Sequence, residues 1–262
     1  MFSWRTRRQF IALAIVGLPI IFILVFFVFK IFPEASCFDN RQNQRELGVD
    51  CGGPCEPCEL KNPKPLTLFW ARLVPVRENS YDLVALIQNP NEVLSSRKVD
   101  YEFTIYDGLR PVTRKIGSTF IFAQERMHII EPNVQAVEIP SHVEFKVTGI
   151  NWEFSQLQKP NFVVEKRDYL IEEQDGIKRS VASSRILNAT TFNFKEVLVE
   201  VVVFDKDGNV LGSNRTVISN FLAGTRSEIK LPWPEVLKGE VRTLAVEARV
   251  NIFDTNAILT PQ

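Results

Sequence analysis

Four cysteines, Cys37, Cys51, Cys55 and Cys58, fall within a stretch of 22 residues, and the chain contains no others. Thiols this close in sequence act together, and three chemistries suit them. Two disulfides fit an oxidising compartment and leave three pairings open. Four thiolates fit tetrahedral zinc, although the two CxxC pairs usual for such a site are not present. Cys55 and Cys58 alone have the spacing of a redox dithiol, but they lack a βαβ setting, and Pro57 opposes the helix whose N-terminus would lower a thiol pKa. The segment has almost no apolar residues from which to build a core, so it needs a covalent or metal staple. Structural disulfides are the expectation. Asp39, Asn40, Asn43, Glu46 and Asp50 lie among the cysteines. Clustered carboxylates and amides of this kind suit calcium, the one cofactor the sequence suggests. The same residue types also cap turns in loops.

The string Cys37-x-Asp39-Asn40-x-x-Asn43-x-x-Glu46-x-Gly48-Val49-Asp50-Cys51-Gly52-Gly53-x-Cys55-x-x-Cys58 resembles a short cysteine-rich motif of secreted and surface-anchored proteins. The resemblance covers residues 37–58 and implies extracytoplasmic placement. That family usually has Gly where Asn40 stands, which predicts a left-handed turn residue there, since Asn tolerates that conformation well.

Other candidate chemistry is sparse. His128 and His142 are the only histidines, and neither belongs to a metal-ligand pair or a nucleophile motif. Both are expected at the surface or at strand ends. The glycines form no phosphate-binding loop, and no small-molecule substrate is evident. Trp70, Trp152 and Trp233 offer rings for stacking on sugars or for core packing. Trp233 lies between Pro232 and Pro234, which keep it out of a central strand and predict an exposed ring. Asn188-Ala189-Thr190 and Asn214-Arg215-Thr216 match the glycosylation acceptor pattern, which is short enough to arise by chance.

The elements that would position these residues begin with a membrane anchor. Gln9 to Phe29 is a run of 21 uncharged, mostly apolar residues, enough to cross a hydrocarbon core of about 30 Å. The expected organisation is a basic tail at 1–9 and a span at 10–32, with Phe10, Ile21 and Phe29 among the lipid-facing positions. A signal peptide has a shorter apolar stretch and a small-residue cleavage site, and Glu34-Ala35-Ser36 supplies a poor one. Arg5, Arg7 and Arg8 hold the N-terminus on the cytoplasmic side and send the rest across, although Lys30 weakens the contrast. Residues 31–262 carry 27 basic and 31 acidic side chains. With no basic cluster beyond the N-terminus, a nucleic-acid partner is disfavoured.

After the polar linker Lys61–Pro65 the apolar period becomes two, which predicts strands. Val99–Gly108 and Val197–Gly208 are similar alternating runs that end in turn residues. Each follows an Asn, Asn89 or Asn188, 99 residues apart. The repeat predicts two β-sandwiches, at 66–154 and 161–254, joined by a linker over Gln156–Pro160. Phe103-Thr104-Ile105-Tyr106-Asp107 resembles the signature of the FxLYD family, and Val201-Val202-Val203-Phe204-Asp205 is a degenerate version. The resemblance implies tandem immunoglobulin-like or late-embryogenesis-abundant-like sandwiches on envelope proteins, with Phe103, Ile105, Val201 and Val203 in the cores and Asp107 and Asp205 capping turns. It transfers no catalytic residues. The expected whole is an all-β ectodomain behind one transmembrane helix: a non-enzymatic protein that binds an envelope protein or surface polymer. A thiol redox or enzyme-accessory role for Cys55 and Cys58 is the competing expectation.

Overall fold

A computed structural model describes residues 4–31, 36–136 and 139–259. The chain divides into two compact units, residues 1–61 and 62–262. The first holds the helix α1 (Trp4–Ile31) and the cysteine module. Within α1, Arg7–Phe26 is long and apolar enough to cross a membrane. Phe10 and Ile21 are 62% and 57% exposed on this helix. Phe29 belongs to the same helix, but its side chain, like the whole of Glu34 and Ala35, lies outside what is described.

The second unit is built from strands β1 (Thr67–Arg77), β2 (Ser80–Gln88), β3 (Leu94–Asp107), β4 (Arg110–Ile121), β5 (Arg126–Gln135), β6 (His142–Ile150), β7 (Glu153–Phe154), β8 (Phe162–Gln174), β9 (Ile177–Asn188), β10 (Phe194–Phe204), β11 (Val210–Phe221), β12 (Arg226–Pro232) and β13 (Thr243–Arg249). Their pairing repeats. In the first half the sheets run β1-β2-β5 and β4-β3-β6; in the second they run β8-β9-β12 and β11-β10-β13. Equivalent asparagines lock each half. Asn89 Nδ2 donates to the carbonyls of Leu94 and Phe122, while Asn188 Nδ2 donates to those of Phe192 and Phe221. Both side chains are fully buried. Each buried amide therefore spends both its N–H groups on carbonyls of two separate backbone segments where the sheets meet.

Within each half the two sheets share a core. Phe103 and Ile105 of β3 pack with Leu83, Ile87 and Ile129 of the facing sheet; Val199, Val201 and Val203 of β10 pack with Ile186, Ile229 and Leu231. The four FxLYD-like positions Phe103, Ile105, Val201 and Val203 are at most 1% exposed. At the β10–β11 turn Asp205 accepts from the backbone N–H groups of Asp207 and Asn209, and Gly208 supplies the positive φ of 79° that the reversal needs.

The halves are not spaced apart by their linker. A third apolar cluster, of Val74, Val84, Ile130 and Val202 with Trp70, Phe204, Val210 and Ala245, lies between sheet β1-β2-β5 and sheet β11-β10-β13. The four sheets thus form four layers, and the two inner ones are covered on both faces. Side-chain chemistry at matching positions follows this layering. The outer face of β3 carries Asp100, Glu102, Thr104 and Tyr106; the corresponding face of β10, which meets the other half, carries Leu198, Glu200, Val202 and Phe204. Strands buried on both faces read as near-continuous apolar runs rather than alternating ones.

Candidate functional site

The cysteine module is a loop stapled twice, by Cys37–Cys55 and by Cys51–Cys58. Cys55 and Cys58 therefore belong to different disulfides, and all four sulfurs that a zinc site would use are bonded to each other. The oxygen ligands turn onto the backbone. Asp50 accepts from the N–H groups of Asp39 and Asn40, and Glu46 accepts from those of Asn43 and Asp50. Asp39 accepts from Arg41 N–H and Asn43 Nδ2. The Asn43 hydrogen bond is the main reason that Asp39 sits below the usual carboxylate range. Among the described residues, the grouping that brings three potential metal donors together is Cys37, Glu46 and Cys55. Its two sulfurs are a disulfide, so their 3.0 Å approach to Glu46 through Cys55 is a contact without a proton to share. Asn40 has φ 57°, the left-handed turn that the resemblance to the cysteine-rich motif implies. At Gly53, with φ 62°, a Cβ would come 2.4 Å from the Arg45 carbonyl oxygen, so only Gly fits.

The densest polar constellation lies where the two halves of the β unit meet. His128 on β5 donates its backbone N–H to Glu247 Oε2 at 3.1 Å, and its ring Nδ1 is 2.6 Å from Glu247 Oε1 on β13. Burial pushes Glu247 up, but the hydrogen bonds and charge of His128, together with Arg249, outweigh it and leave the carboxyl below its ordinary range. Arg249, with a side chain 1% exposed, places Nε 3.3 Å from Glu125 Oε1 and donates through Nη2 to the Phe120 carbonyl at 2.7 Å. Glu125 also takes Lys159 Nζ at 2.9 Å, so the expected linker contributes a cation to the junction. Glu200, on β10, has one oxygen 4.0 Å from Arg249 and no hydrogen-bond partner on that oxygen among the described residues. Desolvation raises it to about 7, against the pull of Arg249.

Two further contacts tie the halves together. Asp82 Oδ2 accepts from Ser213 Oγ at 2.8 Å, and Arg215 Nη1 donates to the Ile130 carbonyl at 3.0 Å. Burial raises Asp82 as well. Buried ion pairs gain little net energy, because desolvation offsets attraction, yet removing one partner typically costs about 3–5 kcal/mol. The network therefore fixes one arrangement of the halves more than it stabilises them.

Two sequence expectations are corrected here. Trp233 is 4% exposed rather than open: its ring enters the core of the second half and its Nε1 donates to the Ser213 carbonyl at 3.1 Å. The flanking prolines end β12 without expelling the ring. His128 is a mid-strand junction residue, 7% exposed, whereas His142 does open β6 at the surface. The Asn188 glycosylation pattern is buried with its amide engaged. Trp152 is partly buried against the first core. The junction is not legible from alternation, which gives Val197–Gly208 an outer face without saying what covers it; the signal available is the unbroken apolar run Val201–Phe204. No family model matches this chain, and a search of curated proteins finds no significant match.

Proposed function

We propose that the chain is a membrane-anchored, extracytoplasmic, non-enzymatic interaction or envelope-scaffold protein. In this reading α1 stays in the bilayer with its basic end in the cytoplasm, and the remainder stands outside as two tandem immunoglobulin-like, FxLYD-like β-sandwiches. The observation that carries it is the joint presence of an apolar helix of spanning length and, a few residues later, a polar module in which every cysteine is in a disulfide. Such bonds persist on the oxidising side of a membrane. Arg7 and Arg8 at the start of α1 support the orientation. The junction network suits a scaffold, because it fixes both halves as one display body, with loops and strand edges left for an envelope protein or surface polymer.

Protease added to intact cells tests the topology. The expected result is loss of a C-terminal epitope tag from cells that keep their cytosolic markers. A tag protected until the membrane is broken overturns the reading.

A further inference from the structure

The free edge of β8 lacks the devices that ordinarily blunt an exposed strand, which include proline, shortness and cover. Among the other edge strands, β1, β4, β5 and β12 hold Pro75, Pro111, Pro132 and Pro232. β6 and β13 have 9 and 7 residues, and β11 is tied to the first half through Ser213 and Arg215. β8 runs for 13 residues without Pro or Gly and pairs with β9 alone. From Lys166 to Gln174 it makes no other backbone–backbone hydrogen bond among the described residues. β12 follows β9 only as far as Val181, so the end of the β8–β9 hairpin stands as a ribbon of two strands. Leu170, Ile171 and Ile177 are all exposed at this end.

The turn decides which backbone groups point outward. Asp175 and Gly176 have φ 54° and 76°, a two-residue type I′ loop, and such a loop joins a hydrogen-bonded pair, here Gln174 and Ile177. Hydrogen-bonded and non-hydrogen-bonded pairs alternate back along an antiparallel ladder. Arg167, Tyr169, Ile171 and Glu173 therefore turn their N–H and C=O groups away from β9, toward the open side. The charges along this edge are also ordered. Lys166 and Arg167 precede the apolar centre at Leu170 and Ile171, and Glu172 and Glu173 follow it. An antiparallel copy of the strand presents the reverse order, so the edge is complementary to itself. Arg167 is exposed and has no ion pair among the described residues.

We infer that β8 is a self-association edge: two copies of the chain pair their β8 strands antiparallel about a two-fold axis at Leu170. In this register Arg167 of each copy lies opposite Glu173 of the other, Tyr169 lies opposite Ile171, and the outward N–H and C=O groups of the two strands meet. The opposed carboxylates of Asp168 and Glu172 are already neutralised by Lys166 and Lys230 within each copy. The inference goes beyond the proposed display role and does not depend on it. A single strand edge buries less than a standard interface, so the pair exchanges readily and is best read by trapping.

The test is disulfide trapping of the full chain in detergent micelles, with detergent in excess so that each micelle holds one helix. All four native cysteines are in disulfides, so one introduced cysteine is the one free thiol. Leu170→Cys stands on the axis, at a non-hydrogen-bonded pair where side chains approach closely. Val163→Cys lies on the same strand with similar exposure, 39% against 41%, and does not meet its own copy in this register. Under mild oxidation the covalent dimer should form at least about tenfold faster from Leu170→Cys, Arg167→Glu should slow that trapping about fivefold or more, and adding Glu173→Arg should restore it. Association through α1 or random collision traps both positions alike. That result, or trapping at position 170 that Arg167→Glu leaves unchanged, overturns the inference. Micelles have no sidedness, so the outcome is independent of the protease experiment.

Discussion

Replacing Glu200 by Gln isolates the effect of burying one carboxylate in the junction. Glu200 is 4% exposed, and its ionisation is displaced from 4.5 to about 7, chiefly by desolvation; Glu247 adds to the effect, while Arg249, Arg215 and His128 oppose it. A displacement of that size corresponds to roughly 3 kcal/mol between the two protonation states. Below pH 4.5 folded and unfolded chains both hold the proton, so the contribution is at its most favourable. As pH rises from 4.5 to about 7 the unfolded chain releases its proton first, and this contribution is lost; beyond that the difference is constant. Gln stays neutral throughout. Urea unfolding of both proteins, followed by tryptophan fluorescence at several pH values from about 4.5 to 8.5, should show the variant gaining on the wild type by up to roughly 3 kcal/mol across that range. Asp82 and Glu247 titrate in both proteins and largely cancel in the difference. A pH-independent difference, or a variant that loses ground as pH rises, would mean that Glu200 is ionised and productively paired with Arg249, and the reasoning would be wrong.

Other outcomes follow from the same structure. Asn188→Ala removes the buried amide that donates to the Phe192 and Phe221 carbonyls and should cost about 1–3 kcal/mol, with Asn89→Ala costing a similar amount, as measured by denaturant midpoint. Gly117→Ala puts a methyl 2.5 Å from Tyr101 Oη and 2.6 Å from Glu131 Oε1, so it should break their 2.8 Å hydrogen bond and destabilise by about 1–3 kcal/mol, an effect that adding Tyr101→Phe should reduce. Peptide mapping without reductant should recover Cys37 linked to Cys55 and Cys51 linked to Cys58; a Cys55–Cys58 peptide would revive the redox reading. With Asp39, Glu46 and Asp50 engaged by backbone N–H groups, chelation followed by calcium should leave the module's proteolysis pattern unchanged, and calcium-dependent protection would refute that use of the carboxylates.

Local chemistry made much of this protein legible in its sequence. The apolar run of α1, the cysteine cluster, the period-two strands and the Asp-Gly reversal each depend on neighbouring residues, so one strand of text carries them; the left-handed turn at Asn40 came through the motif resemblance. The repeated asparagines were visible too, because each serves a turn within its own half. What the sequence could not state was which sheet faces lie against each other. Alternation tells that a strand has two faces, and it does not tell what covers the outer one, where Glu200 stands. Only packing the second half onto the first removed solvent from that face and joined His128 to Glu247 and Arg249 to Glu125 across more than a hundred residues, while the core of its own half drew Trp233 inward despite its prolines. Burial is set by what covers a surface, and the covering element here is distant in the chain.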